Sequence, residues 1–381
     1  MNPLKALNEH GQSVWLDFIQ RKLLTGGELQ RLVEEDGLKG VTSNPAIFEK
    51  AVADSDDYDD LIARMGGDGS ADPKAVYEAI ATRDIQEAAD VLRKVYDETD
   101  GRDGYVSLEV SPYLAHDTEA TVAEARRLWN TVARDNLMIK VPGTPAGVPA
   151  IERLIGEGIS VNVTLLFARE AYEQVAQAYI RGLARAAADG RDVARIASVA
   201  SFFISRIDSL VDDTLMKRME TADEHEKERL RALMGQVAIA NAKVTYKRYK
   251  EILQGEGWQA LSGKGARPQR LLWASTSTKN PDYPDVLYVD ELIGADTVNT
   301  IPPATLDAFR DHGKARQSLE EDVEGAAETM AALEAAGVSM KEVTDKLLDD
   351  GVRLFSEAFD KLLAAVEAEC RKAADRGGDS S

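Results

Sequence analysis

A lysine interrupts the apolar run Leu137 to Val141, and acids stand at or near the ends of two runs of the same kind: Asp17 follows Val14 and Leu16, and Glu109 follows Val106 and Leu108. Alternate side chains of a strand point to opposite faces. If each apolar set shares one face, Asp17, Glu109 and Lys140 share the other, joined by Asn162 and Thr164, which alternate with Val161 and Val163. A lone strand lysine or aspartate is usually structural, but five polar groups in matching register point to a site. An amine so placed has a defined chemistry. Its neutral form attacks a ketone, and loss of water leaves a protonated imine that draws electrons from the neighbouring carbon. Desolvation lowers a lysine pKa and nearby carboxylates raise it, a balance the sequence leaves open. Two carboxylates on different strands can divide the proton traffic, one serving the dehydration and the other a substrate hydroxyl. Lysine plus two acids suffices for aldol chemistry.

Other polar residues follow further runs. In GVTSNPAIF, Gly40 to Phe48, Asn44 either contacts a substrate or caps a helix whose first turn tolerates Pro45. The stretch Val141 to Ala150 lacks the lysine and spacing of a P-loop and reads as a tight strand-to-helix connection. Ser201 and Arg206, in SFFISRID, could hold a sugar hydroxyl and a phosphate, because the planar fork of arginine suits phosphate. Lys279, in WASTSTKNP, lies where barrels often bind phosphate, with donors from Ser275 to Thr278 around it. Lys264, Arg267 and Arg270 precede the seventh run, hence the opposite end, and are expected to be solvated charges. Phe355 and Phe359 are expected to pack rather than to touch substrate.

These residues need a frame. Eight short apolar runs alternate with longer amphipathic stretches: Ser13 to Asp17, Gly40 to Asn44, Tyr105 to Val110, Leu137 to Val141, Ile159 to Leu165, Ile196 to Ser201, Arg270 to Ser275, and Asp296 to Thr300. That pattern predicts parallel strands joined by helices, an α/β chain closed as a (β/α)8 barrel with its active site at the carboxyl ends of the strands. Helices are expected at Thr118 to Arg134, Ala168 to Ala188, Ile207 to Lys250 and Pro303 to Arg310, all rich in strong helix formers. Extra helices are expected between Pro45 and Gly104 and from Ile207 to the loop Gly255 to Gly265. After Phe309, Val343, Leu347, Phe355, Phe359, Leu362 and Val366 recur near helical spacing. The expectation is therefore one barrel domain over 1–381, with 311–381 a helical extension packed on it and 376–381 frayed.

Composition excludes several classes. With 381 residues, 44% hydrophobic and 29% charged, the chain has a full core and is not disordered. Its net charge of −20 repels phosphate backbones and anionic lipid, so neither nucleic acid nor membrane is an expected partner, and an anionic small substrate needs a local basic cluster. Cys370 is the only cysteine, and His10, His116, His225 and His312 show no ligand spacing, so no metal is expected. Residues 1–10 lack a signal-peptide pattern and no apolar run approaches the roughly 20 residues of a membrane span, so the expected location is cytoplasmic. Oligomeric state is left open.

Taken in order, GVTSNPAIF, VSLEVSP, NLMIKVPGTPAG, ISVNVTLLF and ASFFISRID resemble the transaldolase family, over Val14 to Phe309, about four fifths of the chain. The resemblance, to the family's longer forms, implies a metal-independent class I aldolase of the non-oxidative pentose phosphate pathway, needing no cofactor. It implies transfer of a dihydroxyacetone unit from sedoheptulose 7-phosphate to glyceraldehyde 3-phosphate, giving erythrose 4-phosphate and fructose 6-phosphate. By the same resemblance Lys140 is the imine-forming nucleophile, and Glu109 the acid and base, acting through a water held with Thr164. Asp17 takes the proton from the donor's C4 hydroxyl. Asn44 and Asn162 contact the dihydroxyacetone unit, Ser201 its terminal hydroxyl, and Arg206 the phosphate. Many members carry a second phosphate arginine in an S-F-R-N setting; this chain reads Ser275 to Asn280 there, and Lys279 is expected to substitute. The alternatives are an aldolase releasing free dihydroxyacetone from fructose 6-phosphate and a non-catalytic sugar-phosphate binder on the same barrel.

Overall fold

The computed structural model describes residues 2–66 and 72–378. Its eight strands are β1 Gln12–Asp17, β2 Gly40–Thr42, β3 Tyr105–Glu109, β4 Leu137–Pro142, β5 Val161–Leu166, β6 Ser198–Phe203, β7 Arg270–Ala274 and β8 Thr297–Ile301. All are parallel, each pairs with its neighbours in chain order, and β8 closes on β1. The barrel is thus the one expected, with strand ends shifted by a few residues. Strand β2 is the shortest because Pro45 begins a helix, Pro45–Ala53, immediately beyond it. Gly40 is required by close approach: a Cβ there would lie 2.5 Å from the indole of Trp15, its register partner on β1.

The apolar alternation places Val14, Leu16, Val106, Leu108, Ile139, Val141, Val161 and Val163 in a layer almost sealed from solvent. Each such burial contributes about 2 kcal/mol. A one-residue slip of any strand would turn its polar set into that layer, so the packing that stabilises the barrel also holds Lys140 and its companions on the other face.

The helices Thr118–Val132, Arg169–Ala188 and Pro303–His312 match expectation closely. The helical stretch expected from Ile207 to Lys250, in an interval expected to hold extra helices, is divided into three, Ser205–Met219, Glu224–Arg231 and Val237–Ile252. Asp223 caps the second through the Glu226 amide, and Gly235, at φ +68°, turns the chain before the third. Strong helix formers throughout hid both breaks. Pro45–Ala53, Asp59–Gly66 and Pro73–Glu98 fill the first long interval.

The carboxyl-terminal region forms Val323–Ala335 and Met340–Gly378. The latter packs along the three helices of the first interval. There the Phe359 ring makes edge contacts with Tyr77 at 5.6 Å and Tyr113 at 5.8 Å, and Asp360 accepts a hydrogen bond from the Tyr113 hydroxyl. Of the tail expected to fray, 379–381 lie outside the described residues, and the helix carries its backbone through Gly378.

One expectation is corrected at the amino-terminal end of the barrel. Arg270 is not a solvated charge but opens β7 inside the barrel floor, 5% exposed. Its guanidinium donates to Asp103 at 2.9 Å, to Ser13 Oγ at 2.8 Å and to the Arg102 carbonyl at 2.7 Å. Ser13 and Trp15 in turn donate to Asp103, so the ion pair is hydrogen-bonded on both sides, as a buried pair must be. Arg267 pairs with Asp100, and Lys264 is exposed as expected.

Candidate active site

Lys140 occupies the middle of a row across three strands, in register with Glu109 on β3 and Asn162 on β5. Its Nζ lies 3.4 Å from Glu109 Oε2 and donates to the Ser43 carbonyl at 3.1 Å. The contact with Glu109 is within ion-pair range without hydrogen-bond alignment, so both Glu109 oxygens keep unused acceptor capacity. The Thr164 hydroxyl is likewise buried without a partner. Buried polar groups normally find partners, because leaving one unmatched costs about 1–3 kcal/mol. Three such atoms therefore stand on the two strands that flank Lys140, with acceptor or donor capacity left for a water or a substrate.

The neighbouring network is fully matched. Asn162 donates to Ser107 Oγ at 3.0 Å and accepts from Ser201 Oγ at 2.7 Å, which locks its amide across β3, β5 and β6. Asp17 accepts from Thr42 at 2.8 Å, and Thr42 meets Thr300 at 2.6 Å. Since the Thr42 proton goes to Asp17, Thr300 is the donor between the threonines. Asn44 resolves its two readings into one geometry. Its side-chain oxygen caps the helix Pro45–Ala53 by accepting from the Ile47 amide at 3.0 Å, while the residue lines the cleft above Lys140.

Strand β5 supplies a local distortion. Leu165 has φ +59°, and the pairing with β6 shifts between Val163 and Leu166. A bulky residue is strained in that region, and bulges beside sites commonly re-aim a side chain. Here the bulge follows Thr164 and seats Leu165 under Gly351 of the long carboxyl-terminal helix, where a Cβ would lie 2.9 Å from the leucine.

The cleft at the carboxyl ends of the strands has a volume of about 350 Å³, within the range of small-molecule sites. Asp17, Asn44, Lys140, Thr164, Ser201, Arg206 and Lys279 all line it. Glu109 and Asn162 stand one layer behind, in contact with Lys140 and Ser201. The expected residues are therefore brought together, two of them indirectly. Arg206 lies over the Phe203 ring at 5.4 Å, and Lys279, exposed at the rim, donates to Ser277 at 2.9 Å.

Electrostatics separates these groups. Burial pushes Glu109 up to about 7; the Lys140 charge opposes the shift and Asp17 adds to it. Burial also raises Asp17, against Lys140, the Thr42 hydrogen bond and Lys279. Desolvation lowers Arg206. It lowers Lys279 as well, since the mouth walls screen part of that rim side chain from bulk water, and Arg206 adds repulsion.

Phe355 departs from expectation. Besides packing, its ring stands 5.8 Å from Lys140 Nζ and, with Leu354 and Ala358, forms one wall of the cleft. Sequence reasoning missed this, together with Thr42, Thr300 and the Ser43 carbonyl. A stripe of Phe355, Phe359, Leu362 and Val366 reads as packing whatever it faces. Thr42 carried a usable signal, lying in GVTSNPAIF two residues before Asn44. Among the described residues no cluster of three or more His, Cys, Asp or Glu is placed to hold a metal ion, and no helix is long and apolar enough to cross a membrane.

Residues 14–366 match the family model described as transaldolase/fructose-6-phosphate aldolase. The chain is 48% identical over 374 residues to a transaldolase of Trichodesmium erythraeum, covering 97% of this chain and 98% of that one. It is also 48% identical over 366 residues to a transaldolase of Thiobacillus denitrificans, covering 96% and 100%. A transaldolase of Thermobifida fusca is 48% identical over 366 residues, covering 96% and 97%.

Proposed function

Because the chain belongs to the transaldolase/fructose-6-phosphate aldolase family, we propose that it is a transaldolase working through an imine on Lys140. In this reading the neutral amine attacks the C2 carbonyl of a phosphorylated ketose. Glu109, acting through a water shared with Thr164, protonates the departing hydroxyl, and water leaves as the iminium forms. Asp17 takes the proton of the C4 hydroxyl. The C3–C4 bond then breaks, its electrons pass into the iminium to give an enamine, and an aldose phosphate departs. An incoming aldehyde accepts the enamine carbon, and hydrolysis of the new imine returns the amine. Sedoheptulose 7-phosphate and glyceraldehyde 3-phosphate would give erythrose 4-phosphate and fructose 6-phosphate.

Asn44 and Asn162 hold the dihydroxyacetone unit, Ser201 its terminal hydroxyl, and Arg206 with Lys279 the phosphate. The observation that carries the reading is a buried amine 3.4 Å from a carboxylate and open to a cleft ending in two cations. The family supplies the substrates. The carboxyl-terminal extension belongs to the same functional unit, since Phe355 completes the cleft. A cytoplasmic location goes with the proposal, as charged sugar phosphates do not cross membranes freely.

Borohydride reduction with fructose 6-phosphate, followed by peptide mass mapping, is expected to place the adduct on Lys140. An adduct elsewhere, or none in an active preparation, overturns the mechanism. Cleavage of fructose 6-phosphate should require an aldose acceptor, phosphorylated or free; steady acceptor-free release of dihydroxyacetone would mark an aldolase instead.

A further inference from the structure

Arg206 lies in the first turn of Ser205–Met219, just beyond β6, and Lys279 lies on the connection from β7 to β8; both reach the cleft. They repel each other. Burial alone accounts for the lowered Arg206 pKa, with no carboxylate contributing, and Lys279 feels Arg206 with only Asp17 in opposition. Two cations on different elements stay close only if those elements are tied elsewhere.

The ties are present, one layer away from the cleft. Tyr283, four residues after Lys279, donates to Asp212 at 2.7 Å, and Tyr288 donates to Asp208 at 2.9 Å. Asp208 and Asp212 are four apart, on one face of the helix that begins beside Arg206. The second oxygen of each carboxylate accepts a backbone amide, from Ala238 at 2.7 Å and Gly235 at 3.1 Å. Each acid therefore joins three segments. The fit at Gly235 is close, since a Cβ there would lie 2.8 Å from the Tyr283 ring. Both acids are buried and have no cationic partner among the described residues. Such placement is expensive, and hydroxyl bonds to carboxylates are among the stronger ones that can offset it.

We propose that the Tyr283–Asp212 and Tyr288–Asp208 bonds form a clamp that holds Lys279 against Arg206 at the spacing a substrate phosphate requires. These four are positioning residues, and the inference rests on the reading of the cleft as a sugar-phosphate site. The clamp supplies in advance the work of bringing like charges together, so its loss should weaken phosphate binding and spare the chemistry at Lys140.

Tyr283→Phe, Tyr288→Phe and the double variant remove only hydroxyls, and thermal melts establish that they fold; Tyr283, half-buried, carries the test should Tyr288→Phe fail to fold. With glyceraldehyde as acceptor, each folded variant is expected to raise KM for fructose 6-phosphate roughly three- to tenfold. Its kcat, and kcat/KM for unphosphorylated fructose, should stay unchanged. The inhibition constant of inorganic phosphate should rise by the same factor. Equal losses on both donors would reduce the clamp to a general structural role and overturn the proposal, as would unchanged phosphate inhibition. If the unaltered protein binds inorganic phosphate by calorimetry yet turns over neither donor, the transaldolase reading fails, and loss of phosphate affinity in the variants decides the clamp by itself. No phosphate binding by the unaltered protein overturns the clamp.

Discussion

The Lys140–Glu109 pair makes a specific prediction about pH. Burial lifts Glu109 from its ordinary 4.5 to about 7, so ionising it costs about 3 kcal/mol more than in water. The amine can attack only when neutral, and the proton it gives up has a waiting acceptor 3.4 Å away in ionised Glu109. Below about 7 Glu109 is protonated and can no longer accept the proton that the amine must lose, so nucleophilicity falls. Imine formation should therefore fall as pH drops, to about one tenth of its plateau at pH 6 and about one hundredth at pH 5, with the apparent pKa belonging to the pair. Dihydroxyacetone with cyanoborohydride isolates this step, because the donor has no phosphate to titrate, and mass spectrometry reads the trapped adduct. Glu109→Gln is expected to abolish the limb near 7 and to lower the plateau by about 10²- to 10⁴-fold. A flat trapping rate from pH 5 to 8 in the unaltered protein, or the same limb persisting in the variant, would refute the reasoning.

Lys140→Ala should fold, as shown by a cooperative melt, and give no adduct and no turnover; activity equal to that of the unaltered chain would contradict the mechanism. Lys279→Met should raise KM for phosphorylated sugars roughly 10- to 100-fold by removing a charge-assisted contact, with little change for unphosphorylated donors. Phe355→Ala opens the wall beside Lys140 to water, so the ratio of dihydroxyacetone released to dihydroxyacetone transferred should rise severalfold; product ratios by chromatography check this. Arg270→Met strands buried Asp103 and should cost about 3–5 kcal/mol, or about 4–6 °C in Tm for a chain of this length. Asp103 is held below its ordinary 3.8 with Arg270 present, so its contribution exists above that pH and is lost on acidification through the folded value. Without Arg270, burial raises Asp103 instead. The penalty seen by calorimetry should be full at pH 7 and shrink toward pH 3.

The sequence alone determined the barrel and the inward register of its polar residues. Both follow from local rules: a period of two within each run, and strands alternating with helices along the chain. Lys140, Glu109, Asn162 and Thr164 were legible because a polar residue between valines and isoleucines has one face left to occupy. Three matters were decided only by tertiary structure. Arg270 is separated from Asp103 by well over a hundred positions, so its pairing follows from barrel closure and left no local trace. Phe355 reaches Lys140 because a terminal helix is laid across the mouth, a placement set by its packing on distant helices. Burial lifted Glu109, and the depth of a carboxylate depends on everything packed around it. Pattern reveals which way a side chain turns; how dry it becomes and whom it meets are properties of the assembled chain.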